Sequence, residues 1–217
     1  MNEHLQTLTE IRSLMERSSK FLSLSGLSGV SAGIVALIGA AVVYMRVRTD
    51  WLSVLPYEKL ANYGLAQYEQ VHLFLVQTAM LVLLAALGLG ILFTVRKARK
   101  QGQPVWNMAS RRLIWAMAVP LLAGGGVCLA LLQYRLLFLT LPVTLIFYGL
   151  ALLNGSKYTV RDVEYLAYCE IALGLLALFI TGWSLLFWTV GFGVLHILYG
   201  MAMYWKYDRN PTHQPAA

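Results

Sequence analysis

Two ionisable side chains lie inside apolar stretches of this sequence, where a charge is costly unless it has a partner. Glu170 lies in YLAYCEIALGLLALF and His196 lies in FWTVGFGVLHILYG. An Asp or Lys near the centre of a membrane-spanning helix costs about 2.5–3.5 kcal/mol on insertion scales, and a Glu nearer the edge costs less. Such residues usually face the interior of a helix bundle. Glu170 and His196 are therefore the first candidates for a ligand- or proton-binding site.

The spacing of small residues favours a contact between these two side chains. Their helices follow one another across a short loop, so we expect them to be antiparallel neighbours, with Glu170 and His196 at similar depth. Glycines and alanines on both faces would let the backbones approach closely. The predicted contact residues are Gly193 and Gly200 on one helix and Gly174 and Ala177 on the other. The alternatives are a purely structural hydrogen bond, a contact to a backbone carbonyl, and two residues that never meet.

Four further polar residues fall at a depth similar to that of the pair. They are Tyr148, Tyr199, Ser25 and Ser28. If they converge, they line a polar pocket open toward the cytoplasm. The alternative interpretation of the tyrosines is that they anchor helix ends at the membrane interface, which is their commoner use.

Other signatures of chemistry are missing from the sequence. It holds no C-x-x-C-H or H-E-x-x-H motif and no nucleotide-binding glycine loop. Cys128 and Cys169 differ in depth by roughly 15 Å, too far for a disulfide. His72 lies near the outer surface, so it cannot share a haem with His196. We therefore predict no metal site and no cofactor, and we favour a protein that is not an enzyme. The alternative is a membrane-embedded enzyme that acts on a lipid-like substrate, with Glu170 and His196 as acid and base.

The composition places the chain among integral membrane proteins. Of its 217 residues 59% are hydrophobic and 12% are charged, whereas soluble domains carry about 25% charged residues. An all-α bundle of six transmembrane helices is predicted, because six apolar runs have about the 20 residues that a crossing needs. The net charge of +7 is therefore no sign of nucleic-acid binding. The predicted spans are 21–45, 71–95, 113–132, 136–153, 164–182 and 186–206.

The positions of Lys and Arg predict an orientation. The segment RKARKQGQPVWNMASRR joins the second and third spans and holds six basic residues and no acid. If this loop is cytoplasmic, 13 of the 17 Lys and Arg residues lie on the cytoplasmic side. We therefore predict a multi-pass protein of a bacterial inner membrane, with both termini in the cytoplasm.

Three regions make up the predicted domain organisation. Residues 1–20 show one apolar stripe at helical spacing, which predicts an amphipathic helix on the cytoplasmic face. That helix either packs against its own bundle or docks a partner. Residues 21–206 form the transmembrane domain, whose first span is expected to act as an uncleaved signal anchor. Residues 207–217 are a polar tail.

Small residues and helix breakers mark two further features. Gly29 and Gly33 form a G-x-x-x-G pair that predicts close helix packing in the first span. Pro120 and the run 124–126 predict a kink or a break in the third span. Small-residue faces serve packing inside one bundle as well as between chains. Membrane lipids, a protein partner and a second copy of the chain therefore all stay candidates for binding, and a purely structural assembly subunit is a third candidate function.

Three stretches resemble a known family. IRSLMERSSKFLSLSGLSGVSAG, LIFYGLALLNGSKYT and FWTVGFGVLHILYG are similar to an uncharacterised family of small bacterial inner-membrane proteins with about six transmembrane helices. The resemblance covers most of the chain and implies a multi-pass bacterial membrane protein. It implies no activity, cofactor, partner or residue role.

Overall fold

A computed structural model describes residues 25–46, 64–180 and 182–209 of the chain. The predicted N-terminal amphipathic helix lies outside these residues, as does the segment 47–63 that follows the first predicted span. Within the described part, the chain is helical and contains no strand.

Six helices form the described part of the protein. They are α1 (Gly26–Arg46), α2 (Leu65–Lys100), α3 (Met108–Gln133), α4 (Leu137–Gly155), α5 (Val163–Phe179) and α6 (Ser184–Arg209). A single 3₁₀ turn, Ser156–Tyr158, follows α4. α6 changes its winding along its length, with π-helix at Thr189–Leu195 and again at Tyr204–Arg209.

Five of the six helices are long and apolar enough to cross a membrane. The exception is α5, which corresponds to the predicted fifth span 164–182. It has 17 residues, so at about 1.5 Å per residue it is about 26 Å long, a little less than a hydrocarbon core of about 30 Å. The chain is therefore a multi-pass helical protein whose apolar surfaces suit a membrane.

α6 lies between two groups of helices. On one side it packs against α1, which in turn packs against α2. On the other side it meets α4 and α5, and α3 covers the far side of α4. The helices alternate in direction, so two ends can be defined. One end, called the basic end below, carries ten of the described Lys and Arg residues: Arg96, Lys97, Arg99, Lys100, Arg111, Arg112, Lys157, Arg161, Lys206 and Arg209.

The predicted break in α3 is absent, and α4 supplies the reason. α3 runs as one α-helix through Pro120, although proline has no N–H to donate to the carbonyl of Ala116, four residues earlier. Asn154 of α4 takes over that role, because its Nδ2 donates to the Ala116 oxygen at 2.7 Å. A freed carbonyl within an apolar bundle is thus satisfied by a neighbouring helix.

The α3–α4 hairpin turns on a single unusual residue. Arg135 has φ +60°, a left-handed conformation that glycine usually adopts at the end of a helix. Backbone N–H groups of Arg135 and Leu136 bond back to Leu132 and Leu131, which closes α3. The Arg135 guanidinium then lies 5.1 Å from the ring centroid of Tyr68 in α2. This cation–π contact links the hairpin to the α1–α2 pair.

Candidate functional site

The structure brings Glu170 and His196 together where three helices meet. His196 Nδ1 lies 3.3 Å from Glu170 Oε1, across the α5–α6 contact. Tyr148 of α4 completes the group, because its hydroxyl lies 2.8 Å from His196 Nε2. Glu170 is 0% exposed and His196 is 5% exposed. These three side chains, called the triad below, form a buried polar group inside an apolar bundle.

Hydrogen bonding assigns the tautomer of His196. Its Nδ1 also lies 2.9 Å from the carbonyl oxygen of Gly191, and a carbonyl oxygen can only accept. Nδ1 therefore carries a hydrogen and donates it. In a neutral imidazole Nε2 is then the acceptor, so Tyr148 donates its O–H to it. Hydrogen bonds at both nitrogens hold the ring in place. It stacks on Phe192, one turn earlier in α6, with 5.7 Å between the ring centroids.

The Glu170 carboxyl is buried with few polar partners. Although His196 Nδ1 is close, within the described residues neither carboxyl oxygen receives a hydrogen bond. Burial of a carboxylate without hydrogen bonds in an apolar interior has a high free-energy cost. The carboxyl therefore depends on the nearby His196 imidazole for polar compensation.

Gly191 allows Glu170 to approach α6. A Cβ atom added to Gly191 would lie 2.5 Å from Glu170 Oε2 and 2.6 Å from Leu145 Cδ2. The carboxyl thus lies directly against bare backbone. Gly191 belongs to the π-helical turn, a distortion that occurs frequently at functional sites.

The glycine contacts differ from the sequence-based expectation. Gly193 and Gly200 do not pack against Gly174 and Ala177 of α5. They lie against α1, where added Cβ atoms would clash with Leu37 Cδ2 and with the backbone nitrogen of Val30. Gly29 and Gly33 form the α1 side of the same contact, and Gly174 faces Ile146 of α4. The predicted partner was wrong, because Gly193 and Gly200 lie on the side of α6 that faces α1, whereas Gly191 lies on the side that faces Glu170.

Among the described residues, the other three predicted residues form no hydrogen bond to the triad. Tyr199 packs in an apolar cluster with Leu166 and Met203, and its buried hydroxyl has no hydrogen-bond partner among the described residues. Ser25 donates from its hydroxyl to Asp208 at the basic end, and Ser28 donates to the Ser25 carbonyl. The predicted convergence of both serines on the pair is therefore wrong, because they lie at the start of α1.

Asp208 forms a second polar group that the sequence analysis missed. Its Oδ2 accepts from the backbone N–H of Gly26 at 3.1 Å, at the start of α1. Its Oδ1 lies 2.7 Å from Lys97 Nζ of α2, and both side chains are 11% exposed. Asp208 thus joins α1, α2 and α6. Its sequence position predicted a place in the polar tail 207–217, but α6 continues to Arg209.

Comparisons with known proteins add no constraint on this arrangement. No family model, curated protein or solved structure matches the chain. The resemblance to bacterial inner-membrane proteins therefore stays a prediction. In the described part of the chain, no three His, Cys, Asp or Glu side chains lie together in a way that could hold a metal ion.

Proposed function

We propose that this chain is a six-span protein of a bacterial inner membrane, with both termini in the cytoplasm, which binds a small ligand, lipid or protein partner through the triad. The proposal makes it a sensor, an accessory subunit or a small transporter and not an enzyme. One observation carries it: a fully buried carboxyl contacts a histidine whose other nitrogen is already bonded to Tyr148.

The triad can respond to a ligand because, among the described residues, neither Glu170 carboxyl oxygen receives a hydrogen bond. A hydrogen-bonding or charged ligand that approaches Glu170 would engage these oxygens and change the contact between the carboxyl and His196. His196 would pass the change on, because it contacts α4 through Tyr148 and lies in the distorted segment of α6. Ligand binding would thereby be coupled to the packing of α6, which lies between the two helix groups.

The burial of the triad counts against the enzyme alternative, and it requires that a ligand reach Glu170 through a movement of α6 against α4 or α5. A membrane-embedded enzyme needs catalytic groups that water or substrate can reach. Glu170 and His196 are instead enclosed by α4, α5 and α6. The assembly-subunit alternative also loses its main argument, because the glycine faces of α1 and α6 are used against each other.

Native mass spectrometry of the protein, gently extracted from its own membrane, tests the proposal. We expect a reproducible mass excess that disappears in Glu170→Gln and in His196→Gln. Glu69→Gln is the matched control, because that carboxyl is 65% exposed at the opposite end of the bundle. A bare monomer in all four proteins, or an excess that both triad variants retain, would contradict the proposal.

A further inference from the structure

A groove at the basic end combines cationic and aromatic side chains. It lies between α3 and α4 and has a volume of about 840 Å³. Its lining includes Arg111, Arg112, Trp106 and Trp115. Trp115 is 68% exposed although it is one of the largest apolar side chains of α3. This groove is separate from the triad.

The positive charges of Arg111 and Arg112 are available to bind an anionic ligand. Among the described residues, neither guanidinium forms an ion pair with a carboxylate. Lys157 adds a third cation beside a second groove of about 590 Å³, which adjoins the first at Asn154. Glu164 also lines that second groove, but its carboxylate lies 3.6 Å from Arg161 Nε. The two grooves together therefore present an excess of positive charge.

Charge gives way to apolar surface along the grooves. Arg111 and Arg112 lie in the first turn of α3, at the basic end. Val119 and Pro120 follow about two turns deeper, and Phe147 and Leu150 line the second groove at a similar depth. A phospholipid has the same order, with a charged head at the membrane surface and apolar chains beneath it.

We infer that the α3–α4 groove is a binding site for an anionic phospholipid. The guanidinium groups of Arg111 and Arg112 donate to the phosphate oxygens, an arrangement in which arginine makes paired hydrogen bonds. Trp115 lies at the level of the headgroup, where tryptophan is enriched in membrane proteins. One acyl chain lies along Pro120, Phe147 and Leu150. Basic pockets between helices at the cytoplasmic side are known to select such headgroups.

The assignment rests on the membrane location and is independent of the triad. If the groove bound no lipid, the proposed ligand site at Glu170 would not be affected. If Glu170 bound no ligand, the lipid site would not be affected. Separate variants therefore distinguish the two proposals.

A lipid titration of the delipidated protein, followed by native mass spectrometry, tests the site. The probes are phosphatidylglycerol and phosphatidylcholine with the same acyl chains. We expect the first phosphatidylglycerol to bind about tenfold more tightly than phosphatidylcholine. In Arg111→Gln/Arg112→Gln the two lipids should bind equally. The matched control is Arg96→Gln/Arg99→Gln, which removes the same charge from exposed positions of α2 at the same end and should keep the preference.

Three results would overturn the inference. The first is equal binding of the two lipids to the unmodified protein. The second is an equal loss in the groove variant and in the control, which would indicate general attraction to positive charge. The third is displacement by glycerol phosphate at millimolar concentration, because the site would then take a soluble phosphate ester. Should the Gln variant fold poorly, Arg111→Lys/Arg112→Lys keeps both charges and is expected to show a weakened but measurable preference.

Discussion

At the scale of single residues, the triad depends on His196 bonding in two directions at once. Gly191 fixes Nδ1 from within α6, and Tyr148 fixes Nε2 from α4. Because both ring nitrogens are bonded, the imidazole keeps its orientation beside Glu170. Tyr148 is thus central to the site, because its bond to Nε2 directs Nδ1 toward both the Gly191 carbonyl and the Glu170 carboxyl.

Tyr148→Phe should lower the free energy of unfolding by about 1 kcal/mol, because Nε2 loses its donor while the ring packing remains. A double-mutant cycle with His196→Gln should show a coupling of about 0.6 kcal/mol, and at most about 1.7 kcal/mol, the range for hydrogen bonds between membrane helices. Thermal unfolding in detergent measures both values. Tyr165→Phe is the control, because that ring is 71% exposed. Strictly additive effects of Tyr148→Phe and His196→Gln would rule out the bond.

Gly191→Ala tests the contact between bare backbone and the carboxyl. The added methyl group would crowd Glu170 Oε2 and Leu145 Cδ2, and overpacking of this kind costs about 1–3 kcal/mol. Gly125→Ala is a matched control in α3, where an added Cβ meets nothing within 4 Å. That substitution should be neutral or slightly stabilising, because alanine favours helix. Equal effects of the two substitutions on the melting temperature would contradict the tight contact.

At the scale of elements, α3 runs without a break through Pro120, and α4 supplies the hydrogen bond that the proline cannot. Pro120 leaves the Ala116 carbonyl without its usual donor, and Asn154 replaces that donor from α4. The proline and the asparagine are 34 residues apart, so their relation is a tertiary contact that no local pattern announces.

A double-mutant cycle on Pro120 and Asn154 measures this relation. Asn154→Ala alone should cost about 1–2 kcal/mol, because it leaves a carbonyl unsatisfied inside the bundle. In a Pro120→Ala background the same change should cost clearly less, because the new N–H donates to Ala116 along the helix. Chemical or thermal unfolding of the four proteins gives the coupling. If Asn154→Ala costs the same in both backgrounds, the amide is not replacing the missing donor.

Sequence alone was enough to locate the helices and to choose the buried pair. Long apolar runs report on length and burial, so the observed helices overlap all six predicted spans. A Glu and a His in such runs stand out because each must be satisfied. The π-helical turn at 189–195, the contact of Gly193 with α1 and the α1 cap by Asp208 were missed. Each depends on how helices are arranged around one another, and periodicity identifies a face without naming its neighbour.

At the scale of the whole molecule, Asp208 holds α6 to the α1–α2 pair at the basic end. Asp208→Ala should destabilise the protein by about 2 kcal/mol, because it removes the bond at the start of α1 and leaves the partly buried Lys97 ammonium without this carboxylate. Glu69→Ala serves as control, since its carboxylate is 65% exposed. The melting temperature in detergent distinguishes them. An Asp208→Ala protein as stable as the control would mean that α1 is held by its glycine contact with α6 alone.

The number of crossings depends on α5, the shortest of the six helices. Lys206 Nζ of α6 lies 2.6 Å from Asp162 Oδ2, beside the start of α5, so the structure places the end of α6 and the start of α5 at one end of the bundle. With six crossings and the proposed orientation, Lys157→Cys and Arg209→Cys face the cytoplasm and Tyr134→Cys faces outward. An impermeant maleimide applied to intact spheroplasts, with Cys128 and Cys169 replaced by alanine, should label only Tyr134→Cys. Labelling of Arg209→Cys together with Tyr134→Cys would mean that α5 does not cross, and the triad would then have to form without a membrane-spanning α5.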